Sequence, residues 1–297
     1  MKNYSIISLG PEYNKINNIF TNYLCKNYNL TNSIDNIDFI IIGSFVSLDE
    51  YNLIKTLKCK KILYLTEPIQ NFYQFTYQLY LENEFNIIFG NINHDIINNN
   101  YKFPLYITYI DYRNNLLYEY SNYNVKNCNN REKKFCCLIN RHDVGNTRTN
   151  IYNSLKDIDN ISCPSNLFNN CSNEELNSIG NYEYVRQFKF NICSENFITS
   201  IPGNITEKLI IACIAGAIPI YCGFFDDIDE KIFNKNRILF YDPFNNETIN
   251  EVKNKVIYLL NNEEEFNNFY KQDVFCENAF EIIKDLDNNV INMFNNL

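Results

Sequence analysis

Short apolar runs alternate with polar, helix-like segments along most of this chain. Strands are predicted over residues 4–9, 39–43, 61–65, 135–140, 188–193 and 218–221, where the apolar runs are brief. Helices are predicted over residues 14–28, 49–58, 149–155, 206–215, 247–260, 263–273 and 274–297. The run Phe39-Ile40-Ile41-Ile42 is apolar throughout, as is typical of a parallel strand with both faces covered. Strands that alternate with helices in this way predict an α/β fold.

The length of 297 residues suits one large or two ordinary domains. A polar, Asn-rich segment at residues 118–133 separates the two series of elements and predicts the boundary. We therefore expect one domain over residues 1–130 and a second over residues 131–275. The remaining segment, 276–297, is predicted to be a helix, and fold-level analogy alone indicates that it returns to the first domain.

The net charge is −9 and the calculated pI is about 4.9. This balance argues against a partner that is a nucleic acid or an anionic membrane surface, because such partners need a basic face. No apolar run reaches the length of a membrane helix, and the first residues lack the apolar core of a signal peptide. We therefore expect no membrane insertion and a cytoplasmic location, in the host cytoplasm if the chain is viral.

The chain has 11 cysteines, an odd number without the spacing of a metal site. They are expected to be reduced and mostly buried. Asp-x-Asp triplets occur at residues 157–159, 227–229 and 285–287, which is what chance alone would give. No metal is predicted.

The helix predicted from Thr206 begins with Thr206-Glu207-Lys208. A helix start offers unpaired amides and partial positive charge, and Lys208 adds a full charge, so this segment could bind a phosphate. Glu207 could accept hydrogen bonds from sugar hydroxyls. On these residues alone, a solvated, capped helix is the more ordinary interpretation.

Two further candidates stand at the ends of predicted strands. Glu67 follows the strand at 61–65, where open α/β sheets place ligands, and could act as a general base or be a turn carboxylate. Arg141 and Arg148 flank a loop that contains Gly145 and leads into a helix. They could clamp a diphosphate with paired donors, or be surface arginines.

A motif in the second half of the chain resembles the alpha-1,3/1,4-fucosyltransferase family, glycosyltransferase family 10. The family pattern reads K-F-x4-E-N-S, then [YF]-[VI]-T-E-K-L, then A-G-x-[VI]-P-[VI]-x2-G. This chain matches it with Lys189-Phe190, Glu195-Asn196, Ile205-Thr206-Glu207-Lys208-Leu209, Ala215-Gly216, Ile218-Pro219-Ile220 and Gly223. It departs from the pattern at Phe197, where the family has Ser. Upstream of this motif, Pro164-Ser165 stands where the family has a Gly pair.

The resemblance implies a GT-B fold, with two Rossmann-like domains facing a central cleft. The first domain would take the glycan acceptor and the second the nucleotide-sugar donor. The implied reaction is inverting transfer of L-fucose from GDP-fucose to a glycan hydroxyl, with an alpha-1,3-type linkage and no required cofactor. Glu67 would be the catalytic base. The residues implied in donor binding are Arg148, Lys189, Glu195, Asn196, Thr206, Glu207 and Lys208.

Three alternatives stay open at this point. A transferase of the same fold could use another nucleotide sugar, since donor specificity depends on pocket details. The chain could instead be an inactive glycan-binding protein derived from a transferase. It could also be an interaction protein that shares only the fold.

Overall fold

The computed structural model describes residues 2–8, 13–14, 16–17, 28–66, 74–92, 95, 98–109, 132–196 and 202–297. The chain divides into two compact units. The first comprises Met1–Thr108 with Glu281–Leu297, and the second comprises Tyr109–Phe280. The predicted boundary near residue 130 falls within residues 110–131, which lie outside the described residues.

The first unit contains a parallel sheet with the strand order β2-β1-β3-β4-β5-β6. The register places Tyr4 beside Phe39 and Ile62 beside Ile87. Gly90 ends β5 with a φ of 126°, and a side chain there would collide with the carbonyl of Leu65. The strands are β1 Lys2–Ile7, β2 Tyr28–Leu30, β3 Phe39–Ile42, β4 Lys60–Leu65, β5 Ile87–Gly90 and β6 Asn100–Lys102.

The two faces of this sheet bury different side chains, because successive residues of a strand point to opposite faces. An aliphatic cluster that includes Ile40, Ile42, Leu63 and Leu65 contains residues of both helices that follow β3 and β4. These helices are α1 Leu48–Thr56 and α2 Gln74–Leu81. Aromatic rings cover the other face, where Phe294 contacts Phe39 and Phe89.

The second unit contains a parallel sheet with the strand order β11-β10-β9-β7-β8. Its strands are β7 Lys134–Cys137, β8 Ile161–Ser162, β9 Phe188–Ile192, β10 Ile218–Tyr221 and β11 Leu239–Phe240. Its helices are α3 Thr149–Leu155, α4 Glu174–Val185, α5 Glu207–Ile214, α6 Asp229–Ile232, α7 Asn246–Asn261 and α8 Glu263–Tyr270. The last helix, α9 Ala279–Asn295, begins in this unit and ends in the first.

Helix α7 shows why these elements pack as they do. Ile249, Val252, Val256 and Leu259 are buried at intervals of three and four residues, which places them on one face of the helix. Asn245 caps the first turn by accepting a hydrogen bond from the Glu247 amide at 2.9 Å. The polar face of the helix is left to solvent.

The structure confirms the predicted α/β class with parallel sheets, and most predicted elements lie within a few residues of the observed ones. Of the helix predicted over residues 14–28, only four residues are described, and Tyr28 begins β2 instead. The strands β2, β5, β6 and β8 and the helices α2, α4 and α6 were not predicted. The strands β2, β6 and β8 are only two or three residues long and β5 is four residues long, too short to show a clear period-2 pattern.

The cysteines of the described segments are all free thiols, as predicted, and six of them are buried. Burial raises the pKa of Cys163 and of Cys213 to about 12, so both stay protonated near neutral pH. No helix of the described segments is long and apolar enough to cross a membrane.

Candidate functional site

The candidate site lies at the carboxyl edge of the sheet in the second unit. The chain leaves β7 for β8 on one side of it and returns to β9 on the other, so β7 and β9 flank a topological switch point. Ligands of open α/β sheets bind at such points, beyond the carboxyl ends of the strands. The described parts of two loops meet here: residues 138–148 follow β7, and residues 193–196 and 202–206 follow β9.

Arg148 joins these two loops. Its side chain is 1% exposed, and its guanidinium donates to the Ser194 carbonyl from Nε at 3.2 Å and from Nη2 at 2.8 Å. Nη1 donates to the His142 carbonyl and to Asn196 Oδ1, the latter at 2.9 Å. Burial lowers the pKa of Arg148, and the nearby carboxylate of Glu195 opposes this shift. Arginine nevertheless remains charged in proteins, so Arg148 places a fixed positive charge beneath the loops.

Asp143 closes the amino end of α3. Its carboxylate accepts hydrogen bonds from the amides of Arg148 at 3.1 Å and Thr149 at 2.7 Å, and from the Thr147 hydroxyl at 3.2 Å. Burial opposes ionisation of Asp143, but the hydrogen bonds outweigh it and lower its pKa. The first amides of α3 therefore donate to the chain's own carboxylate.

Glu195 anchors the amino end of α5. It is 2% exposed, and its Oε1 accepts from the Thr206 amide at 2.9 Å and from the Tyr221 hydroxyl at 3.0 Å. Its Oε2 accepts from the Thr206 hydroxyl at 2.7 Å. Thr206 is the N-cap of α5 and accepts from the Lys208 amide at 3.5 Å. A buried carboxylate with three donors thus fixes where α5 begins.

Lys208 and Glu207 form the part of this cluster that reaches solvent. Their side chains are 24% and 25% exposed, and the Lys208 ammonium lies 3.6 Å from Glu207 Oε1. The same ammonium lies 3.6 Å from Glu195 Oε2 and donates to the Thr206 hydroxyl at 2.9 Å. The Lys208 ammonium and the Glu207 carboxylate therefore lie side by side at the amino end of α5. The partial positive charge of the helix dipole at this end would stabilise a bound anion.

Two tyrosine hydroxyls tie further strands to the cluster. Tyr241, just after β11, donates to the Thr147 carbonyl at 2.6 Å and lies 2.6 Å from the Ser194 hydroxyl. Tyr221, at the end of β10, donates to Glu195. Burial raises the pKa of both hydroxyls well above its usual range, so both remain donors. The cluster therefore draws on segments that follow four strands of one sheet.

The structure brings together six of the eight site residues implied by the family resemblance. Arg148, Asn196, Glu195, Thr206 and Lys208 are linked by direct contacts, and Glu207 contacts Lys208. Lys189 lies apart from them. It is near the amino end of β9, the opposite end from the site, and its ammonium lies over the Phe266 ring at 5.8 Å.

Glu67, the predicted catalytic base, lies outside the described residues, so its role stays a prediction. The described part of β4 ends just before it. There the Thr66 amide donates to the Ser44 hydroxyl at 3.2 Å, and the two hydroxyls are 3.0 Å apart. In the described segments, no three His, Cys, Asp or Glu side chains are grouped as they would be to hold a metal ion.

A sequence profile described as "Glycosyltransferase family 10 (fucosyltransferase) C-term" matches residues 128–285, just over half of the chain. The chain belongs to glycosyltransferase family 10. The resemblance seen in the donor-site motif is thereby confirmed, and the matched region contains the whole cluster around Arg148 and Glu195.

A protein of Acanthamoeba polyphaga mimivirus, whose name assigns it to the fucosyltransferases, is 33% identical to this family 10 chain over 113 residues. That match covers 37% of the chain and 18% of the viral protein, so the chain spans less than a fifth of that relative.

Solved structures confirm the GT-B fold class. An alpha1,3-fucosyltransferase crystallised with GDP-fucose has a TM-score of 0.70 at 17% identity, covering 98% of this chain and 90% of its own. The Anabaena protein HepE, in complex with UDP and glucose, has a TM-score of 0.60 at 8% identity over all of both chains. At these identities the likeness concerns the fold.

Reasoning from sequence missed Asp143, Ser194, Tyr221 and Tyr241. Asp143 carried a signal, because an Asp shortly before a predicted helix is a usual source of capping bonds. The tyrosines carried none. Their hydroxyls reach the site only because the sheet places β9, β10 and β11 side by side.

Proposed function

We propose that this family 10 chain transfers L-fucose from GDP-fucose to a hydroxyl of a glycan acceptor, with inversion and an alpha-1,3-type linkage. The observation that carries the proposal is the pair Glu207 and Lys208, partly exposed at the amino end of α5 and held there by buried Glu195. An ammonium at a helix start suits a diphosphate, and the adjacent carboxylate suits ribose hydroxyls.

The proposed reaction is a single displacement. The acceptor oxygen bonds to the anomeric carbon of fucose as the bond from that carbon to the diphosphate oxygen breaks, and GDP leaves. Glu67 takes the proton from the acceptor hydroxyl. The sugar passes through an oxocarbenium-like state, so charge grows on the diphosphate as the bond breaks.

In this proposal Lys208 and the α5 amides stabilise the leaving diphosphate directly, while Arg148 contributes positive charge and holds the two loops. Removing one preorganised group of this kind costs about 2.7–4 kcal/mol of transition-state stabilisation. Asn196 would shape the donor pocket together with Thr206. No cofactor or metal is assigned a role.

The test measures thermal stabilisation by GDP, GDP-fucose, GDP-mannose, UDP-galactose and UDP-GlcNAc, together with fucose release from GDP-fucose. The variants are Lys208→Ala and a matched control, Lys156→Ala, whose exposed side chain follows α3. We expect GDP and GDP-fucose to stabilise the wild type and the control. In Lys208→Ala, the stabilisation should be lost and fucose release should fall about 100-fold.

Equal GDP affinity in Lys208→Ala and wild type would refute the proposed donor site. Stronger stabilisation by a UDP-sugar would be consistent with the GT-B fold but would show that GDP-fucose is not the donor. A further variant, Lys189→Ala, distinguishes the prediction made from the family motif from the one made from the structure. The motif predicts weaker GDP binding, whereas the position of Lys189 over Phe266 predicts unchanged binding.

A further inference from the structure

A cavity of about 460 Å³ opens at the carboxyl ends of β10 and β11 in the second unit. Its walls are the segments that follow these strands, residues 222–225 and 240–243, together with side chains of α6 and α7. Tyr241 lines the cavity while its hydroxyl contacts Ser194 and the Thr147 carbonyl. The volume lies within the range of about 300–1,000 Å³ typical of small-molecule sites. The cavity therefore adjoins the Glu195 cluster through Tyr241.

Aromatic rings form much of its lining. Phe224 is 54% exposed, which is unusual for a ring that could be buried, and it follows Gly223 of the family motif. Phe225 and Phe240 stand edge to face, with ring centroids 5.3 Å apart at 81°. Phe225 also packs against Phe233 at 5.5 Å, which fixes its ring. The cavity thus combines a rigid apolar wall with one exposed ring.

Its charged side chains are two acids and one base, Glu230, Asp242 and Lys235. Asp242 Oδ1 accepts from the Phe244 amide at 2.9 Å, whereas its Oδ2 accepts no hydrogen bond from any described residue. Glu230 and Lys235 form an ion pair at 2.8 Å, with both side chains about half exposed. Because Lys235 is paired with Glu230, the lining carries a net negative charge from Asp242. Such a lining disfavours a phosphate and suits a neutral ligand that donates hydrogen bonds.

We propose that this cavity binds a neutral saccharide. The apolar C–H face of a pyranose would lie on Phe224, and sugar hydroxyls would donate to the Asp242 carboxylate. The proposal that a saccharide binds here depends only on the residues that line the cavity. The further step, that this saccharide is part of the acceptor glycan, rests on the proposed function. The aromatic wall exists only because the sheet places β10 and β11 side by side.

The test uses ligand-observed saturation-transfer NMR with lactose and N-acetyllactosamine, and calorimetry with GDP, on the full chain. The variants are Phe224→Ala and Asp242→Asn. Phe244→Ala is the matched control, because its ring is 72% exposed, close in sequence and outside the cavity lining. Both Phe224 and Asp242 are exposed, so each variant should fold, which its circular dichroism spectrum checks.

We expect saccharide binding to weaken about tenfold in Phe224→Ala, through loss of the stacked ring, and in Asp242→Asn. GDP binding should be unchanged in both variants, and Phe244→Ala should match wild type in every measurement. Absence of saccharide binding to wild type, or equal binding to all variants, would overturn the proposal. So would a loss of GDP affinity in Phe224→Ala, which would assign the cavity to the nucleobase.

These outcomes are separate from those of the donor test. GDP binding that depends on Lys208, without saccharide binding, would leave the proposed function standing and this inference refuted. Saccharide binding that depends on Phe224, without GDP binding, would support this inference and refute the proposed function.

Discussion

The hydrogen bond between Tyr221 and Glu195 gives the sharpest test of how the site is held together. Tyr221→Phe removes one hydroxyl, whose partner is Glu195 Oε1 at 3.0 Å. Both side chains are buried, so water cannot replace the bond. A hydrogen bond to a charged group contributes about 1.5–3 kcal/mol. We therefore expect the unfolding free energy to fall by about 2 kcal/mol. The melting temperature should fall by about 3 °C, because an unfolding entropy of about 2.1 cal/mol/K per residue corresponds to about 1.6 °C per kcal/mol for 297 residues.

Glu195→Gln makes a larger change at the same point. The Gln side chain keeps one oxygen and replaces the other with an NH2 group. In one orientation the NH2 group faces the Thr206 hydroxyl and the Lys208 ammonium. In the other it faces the Thr206 amide and the Tyr221 hydroxyl, so it meets a donor in either case. We expect a loss of about 2–4 kcal/mol, because a charged bond is weakened and a buried donor is left opposite another donor. Both substitutions disrupt the same hydrogen bond between Tyr221 and Glu195. The double variant should therefore lose about 1–2 kcal/mol less unfolding free energy than the sum of the two single variants.

Urea unfolding followed by circular dichroism gives these free energies from the midpoint and slope of the transition. Tyr258→Phe is the matched control. Its ring is exposed on α7, and its loss of a hydroxyl should change stability by less than about 0.5 kcal/mol. Additive effects of Tyr221→Phe and Glu195→Gln, or a Tyr221→Phe variant as stable as the control, would show that this bond does not anchor the start of α5.

Three further predictions test neighbouring contacts. A Cβ at position 223 would lie 2.4 Å from the Tyr221 hydroxyl, so Gly223→Ala should displace that hydroxyl from Glu195 and cost at least as much as Tyr221→Phe in the same urea assay. The lowered pKa of Asp143 means that its ionised form stabilises the fold above the ordinary pKa of 3.8, and that this contribution is lost as the pH falls through the lower folded value. Asp143→Asn should lack this part of the pH dependence, and curves that superimpose from pH 5 to pH 2.5 would contradict the assignment. Arg148→Lys keeps the charge but cannot reproduce the guanidinium bonds, so we expect a lower melting temperature and GDP binding at least about tenfold weaker by calorimetry. Wild-type values for both would assign Arg148 no role beyond its charge.

Several features of this protein followed from the sequence because they depend on residues close together in the chain. The apolar runs at 39–42, 61–65 and 218–221 marked strands, since burying both faces of a strand requires consecutive apolar side chains. Thr206 before Glu207 marked the start of α5, since a cap acts within one turn. The order and spacing of the motif identified the family before any contact was visible.

Tertiary structure alone decided which residues form the site. The order of the second sheet brings the Tyr241 hydroxyl to the Thr147 carbonyl, 94 residues away in the chain, and no local pattern contains that pairing. The same geometry separates Lys189 from the motif residues that follow it, because a strand carries its two ends to opposite edges of the sheet. Local sequence therefore determined most of the elements and the family. The packing of strands that are distant in sequence decided which side chains are buried and which, like Lys208 and Glu207, remain partly exposed to a ligand.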